Sequence, residues 1–147
     1  MASIWNDADR NELVRRAWSL TPSHTARWGK FSVGGMLAHL NDSARMATGD
    51  LPVAAKAPPF LKWAPVRYLL IHVLPMPKGA PTAPELLART TAADLAQEQQ
   101  AFQNLFDALP RRASLAPAHP AFGPMTRDEW GLLIHKHTDH HLRQFGA

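Results

Sequence analysis

The last sixteen residues of the chain, LLIHKHTDHHLRQFGA, hold four of its eight histidines. Imidazoles at this density point to one of three things: a purification tag, a solvated patch or part of a metal site. A tag is excluded, because Lys136, Thr138 and Asp139 interrupt the run and ordinary sequence follows it. Helical phase then sorts the histidines. With Trp130 as origin and about 100° per residue, Leu133, Ile134, His137, Thr138, His141, Leu142 and Phe145 fall on one stripe. His137 and His141 lie within about 20° of its centre, whereas His135 and His140 fall outside it.

Side chains four apart on a helix lie one above the other, so two imidazole nitrogens can converge on one ion. Burying the pair among tryptophan, leucine and phenylalanine without partners is costly, and a metal satisfies both rings at once. The bland alternatives are a half-exposed pair and a core histidine bonded to a carbonyl. Two ligands are too few, so a third must come from another helix. His39, in MLAHLNDSARM, is the best placed. It shares a flanking stripe with Met36, Ser43 and Met46, and a helix that touches two neighbours can turn such a flank inward.

The remaining polar residues read differently. His24, His72 and His119 sit in turn-like or proline-rich contexts and read as structural or surface residues. Glu98 and Gln99 flank the apolar stripe of the third helix; a place in a pocket wall is one reading, and a solvated helix edge is the one expected. Asp139 falls opposite the histidine stripe, which argues against ligation. Gln144 lies near that stripe, where it can support a ligand. A second pairing, His135 with His140, points away from the stripe and is rejected.

The chain has no cysteine, so any metal must be held by nitrogen and oxygen. Three neutral imidazoles leave a divalent ion its full charge and at least one open position, the pattern of a catalytic site. A zinc-type ion there lowers the pKa of bound water to about 7 or binds a thiolate. Nickel, iron and manganese accept the same ligands.

Four long helices must position these residues. The first spans about Asp7 to Leu20, with Leu13, Val14, Ala17 and Trp18 at helical spacing and Pro22 beyond it. The second starts behind Ser32, carries Val33, Met36, Leu37, Leu40, Ala44 and Ala47 on its main stripe, and stops at Gly49. The third follows the cap candidates Thr90 and Thr91, shows Leu95, Phe102, Leu105, Phe106 and Leu109, and stops at Pro110. The fourth opens on a capping box formed by Thr126 and Glu129 and runs to the end. Between the second and third lie about forty proline-rich residues, too long for a bare loop. About Pro59 to Leu74 is expected to be an extra helix, and PMPKGAPTAP an irregular segment. No strand pattern stands out. The expected fold is all-α, a single domain over residues 1–147, with a long connection that lets consecutive helices of a bundle run parallel.

Composition bounds the function. Hydrophobic residues at 46% against 19% charged describe a globular chain. The net charge of +4 is spread from Arg10 to Arg143 with no block longer than Arg15–Arg16 or Arg111–Arg112, so no nucleic-acid partner is expected. The longest apolar stretch, APPFLKWAPVRYLLIHVLPMP, is broken by Lys62, Arg67, His72 and prolines; no span and no membrane partner are expected. The opening MASIWNDADRNELVRR shows no apolar leader, which makes a cytoplasmic location the expectation.

Three segments, in order, carry a resemblance. HPAFGPMTRDEWGLLIHKHTDHHLRQFG resembles the last helix of the DinB-like and YfiT-like metalloenzyme superfamily, closest to a subfamily of uncharacterised domains with a DHHLRQFG-type ending. MLAHLNDSARMATGD and PMPKGAPTAPELL resemble that group's second helix and proline-rich connector. The resemblance implies a four-helix bundle in up-down-down-up order. It also implies a divalent metal held by one histidine of the second helix and an H-x-x-x-H pair of the last, here His39, His137 and His141. Relatives of this fold include thiol-dependent transferases and a maleylpyruvate isomerase. The expectation is therefore a metal-dependent enzyme acting on a small molecule, with a low-molecular-weight thiol as co-substrate or a hydrolase-like reaction. A metal-binding or stress-response protein without catalysis, and a metal-free structural bundle, are the alternatives. The resemblance and the five tryptophans also make a homodimer an expectation.

Overall fold

Asn6 accepts a hydrogen bond from the Asp9 backbone N–H, and this cap starts α1 (Asp7–Ser19) in the computed structural model, which describes residues 1–147. Ser32 does the same for Gly35 at the start of α2 (Val33–Thr48). Gly49 ends α2 in a left-handed conformation at φ 84°, its N–H turned back to the Arg45 and Met46 carbonyls. A short α3 (Ala64–Tyr68) lies in the connector. It is followed by α4 (Leu95–Ala108) and α5 (Arg127–Gln144), the latter opened by the reciprocal Thr126–Glu129 capping box.

The chain is mainly helical, as its periodicity predicts. α2 is the central element: every residue except Arg45 and Thr48 is buried. It packs against α4 and α5, and α1 packs against the same two helices. Trp130, Phe102, Phe106, Leu13, Met36, Leu37, Leu40 and Leu142 fill the space between the four, with the rings of Phe102 and Phe106 stacked at 4.0 Å. No helix is long and apolar enough to cross a membrane.

Three details depart from the sequence reading. The helix expected behind Thr90 or Thr91 is capped by Asp94, whose carboxylate accepts from the Gln97 N–H; the Thr90 hydroxyl instead donates to the Leu87 carbonyl. The extra helix is broken into a 3-10 turn (Pro59–Lys62), α3 and a wider π turn (Leu69–Val73). A two-residue antiparallel pair, β1 (Ala118–His119) with β2 (Gly123–Pro124), turns the chain before α5; it is too short to show alternation in sequence.

The second half of the connector lies directly on α2. A Cβ at Gly34 would stand 2.7 Å from the Ala93 carbonyl oxygen, and one at Gly35 would overlap the Thr90 carbonyl. Two glycines in a row therefore let the connector backbone reach the helix surface. Arg89 fastens it there. Its guanidinium bonds both oxygens of Asp42 on α2 (2.9 and 3.1 Å) and Glu98 on α4 (2.6 Å). Glu98 also accepts from the Asn41 amide at 2.7 Å.

Candidate metal centre

His39 sits midway along α2, on the flank facing α5, and is 3% exposed. Its stripe companions Met36, Ser43 and Met46 are buried with it. α5 brings His137 and His141, one turn apart and half-buried, against it from the other side. The Nε2 atoms of His39 and His137 are 3.0 Å apart, and one ring nitrogen from each of the three histidines lies within 4.8 Å of the others. The structure thus brings together the three residues selected from sequence.

Each outer nitrogen tells which inner one is free. His39 Nδ1 lies 3.2 Å from the Leu86 carbonyl; an N–H there donates to it and leaves Nε2 as a lone pair. His141 Nδ1 lies 2.7 Å from Gln144 Oε1. The Gln144 amide cannot flip without loss, because its Nε2 donates to the Trp28 carbonyl at 2.7 Å. His141 therefore also offers Nε2 inward. The loop between α1 and α2 is held to the end of α5 by this bond and by the Arg27 N–H on the Gln144 carbonyl. That places Phe31 face-on against His39 at 5.2 Å and edge-on to His141 at 5.8 Å.

Electrostatics keep all three rings neutral. Burial pushes the His39 pKa down. It pushes His137 well below its ordinary value, with the neighbouring His141 and His39 adding to the effect, and lowers His141 to about 4. Neutral imidazole is the form that ligates. Two nitrogens held at 2.0–2.1 Å by one tetrahedral ion stand about 3.3 Å apart, between the 3.0 Å of the closest pair and the 4.8 Å spread of the set. The residues fit a divalent ion.

Around the triad the other predicted residues divide. Gln144 supports His141, as its position near the stripe suggests. Asp139 faces away and pairs with Arg16 and Arg143. His135 stays apart from the triad, but His140 comes closer than its phase implies: its ring lies 5.2 Å from His141 and 5.4 Å from Trp28. Over Trp28 stands the Lys78 ammonium, 4.3 Å from the ring centre. Glu98 and Gln99 are not a solvated edge. Both are buried, Glu98 in the Arg89 network and Gln99 donating to the carbonyls of Ala17 and Leu20. His24 closes a turn on Thr21, His72 stacks on Tyr68, and His119 packs beside Trp130, its Nδ1 accepting from the Ala121 and Phe122 N–H groups. Phe31 and the Leu86 carbonyl were missed. A phenylalanine in a loop and a backbone oxygen carry no signal in sequence.

The family model described as "Protein of unknown function (DUF1569)" matches residues 6–147. The chain belongs to the DUF1569 family. No curated protein and no solved structure matches it. The matched region of this DUF1569 chain contains all three histidines and every residue that supports them.

Proposed function

We propose that this protein is a metal-dependent enzyme whose centre is a divalent transition ion held by His39, His137 and His141. The observation that carries the reading is the convergence of three neutral imidazoles, two of them with the outer nitrogen already engaged. Thiol transfer and hydrolysis are the reaction classes it suits. A bound ion would supply Lewis acidity and an open coordination position. The protein's own residues do the rest. The Leu86 carbonyl and Gln144 orient two ligands, Phe31 walls the triad on one side, and Lys78 over Trp28 adds positive charge nearby. A small molecule approaches from the side of the half-buried His137 and His141, because His39 is closed off. The packing of α1, α2, α4 and α5 and the long connector support a DinB-like four-helix bundle in up-down-down-up order.

One observation favours a metal-free structural role: at 3.0 Å, His137 Nε2–H can donate to His39 directly. That arrangement gives His141 Nε2 no partner. Metal analysis separates the two readings. Tag-free protein purified without added metal should carry about one equivalent of a transition metal, lost in the His137→Ala/His141→Ala variant. No metal even after reconstitution overturns the proposal. A metal-loaded protein inert towards every thiol–electrophile pair and hydrolysable ester overturns the enzyme and leaves a metal-binding bundle.

A further inference from the structure

Six of the nine exposed large apolar side chains lie between Phe60 and Leu74, so the exposure is concentrated in one short segment of the connector, the 3-10 turn, α3 and the π turn that follows it. Phe60, Trp63 and Tyr68 are 60%, 65% and 59% exposed, and Leu69, Val73 and Leu74, in the same segment, are exposed with them. A concentration of this kind marks a partner. The segment is not loose. Ile71 is fully buried behind it, Arg67 pairs with Glu129 of α5, and the Lys136 ammonium donates to the carbonyls of Leu70, Ile71 and Leu74 at 2.7–2.9 Å. Backbone groups that the helix end leaves open are thus satisfied by the protein and need no water.

Charge selects the occupant. From Leu51 to Pro84 there is no aspartate or glutamate, against Lys56, Lys62, Arg67 and Lys78. Glu129 neutralises Arg67, and Glu85 lies near enough to Lys56 to feel its charge. Lys62, between Phe60 and Trp63, makes no ion pair, whereas Lys78 is engaged over the Trp28 ring. A second copy meeting this face about a two-fold axis would add only more cations. A protein partner would need about one hydrogen bond per 100–200 Å², and the face offers little beyond Lys62, the Tyr68 hydroxyl and His72. Aromatic and aliphatic side chains edged by lysine are the composition of an element lying in a lipid interface.

We propose that the Phe60–Leu74 face docks on an anionic membrane surface. The expectation of no membrane partner rested on what a span requires; surface docking needs neither twenty apolar residues nor an uninterrupted run. The test is co-flotation of the full-length protein with phosphatidylcholine vesicles, with and without about one third phosphatidylglycerol. Wild type should float with the anionic vesicles and be released as salt rises. Phe60→Ser/Trp63→Ser should weaken binding by about tenfold or more. Lys62→Glu should remove the preference for anionic lipid. Trp18→Ser, at an exposed tryptophan outside the connector, should leave binding unchanged. Equal circular-dichroism melting curves establish that the variants fold. Absence of flotation with either vesicle, or unchanged binding of the double variant, overturns the proposal. So does a dimer in sedimentation equilibrium that the double variant abolishes, since it assigns the face to a second copy.

Discussion

His39 and His137 lie 98 positions apart in sequence, yet their Nε2 atoms stand 3.0 Å apart across the contact between α2 and α5. The contact joins the two helices that carry the site, so an ion bound there ties α2 to α5 in the folded state only. Metal should therefore stabilise the protein. At a free metal concentration 100-fold above Kd, wild type should gain about 2.7 kcal/mol of unfolding free energy. His39→Gln should gain little or nothing. Thermal unfolding with and without zinc measures this, and equal shifts in the two proteins would contradict three-histidine ligation.

Gln144 is the lever on His141. Gln144→Leu removes the acceptor at Nδ1 and frees the ring to turn, and should weaken metal binding about 10- to 100-fold. Gln144→Glu keeps an acceptor there and should retain most of the affinity while losing the bond to the Trp28 carbonyl. Competition with a chromophoric chelator distinguishes the two. A leucine variant with wild-type affinity would remove Gln144 from the site.

Arg89 acts at a distance, through the connector that delivers the Leu86 carbonyl to His39. Arg89→Met leaves the buried Glu98 carboxylate without a counter-ion and Asp42 with Arg45 alone, at 3.2 Å. A buried pair broken this way costs about 3–5 kcal/mol, and the 42% exposure of the Arg89 side chain reduces the expectation to about 2 kcal/mol. Urea unfolding should show this loss at pH 7.

Acid should destabilise the metal-free protein through its histidines. Burial lowers His119 and His141 to about 4 and also depresses His39 and His137, whereas the unfolded chain takes up protons near 6.5. Between those values the unfolded state binds more protons, so stability falls as pH drops from about 6.5 towards 4. Each unit of depression contributes about 1.4 kcal/mol. His119→Phe lies outside the triad and should flatten part of the slope while leaving metal binding intact. Denaturant midpoints at about pH 7.5, 6 and 5 report it.

The legible part of the site was the part that one helix encodes. The i, i+4 spacing placed His137 and His141 on the inward stripe of α5, and Gln144 three residues after His141 fell within reach of its ring. Glu98 and Gln99 show the limit. Their phase on α4 is the flank that sequence gives, but the flank faces the connector and the end of α1 rather than water, so both are buried with partners on other elements. The cap at Asp94 displaced Thr90 and Thr91 for a related reason: the Thr90 carbonyl lies against Gly35, in a connector still crossing α2.

By itself, then, the sequence determined the four long helices, the inward stripe that His137 and His141 occupy, and a donor set without sulfur. Those follow from local geometry, because a period of 3.6 residues fixes direction within a helix whatever surrounds it. Tertiary structure decided that His39 meets the α5 pair, that Leu86 and Phe31 complete its surroundings, and that the connector's aromatic face is left bare. These depend on how far one helix is shifted and turned against another. Packing sets that relation, through the close approach at Gly34 and Gly35 and the Arg89 and Lys136 clasps, and no short stretch of sequence contains it.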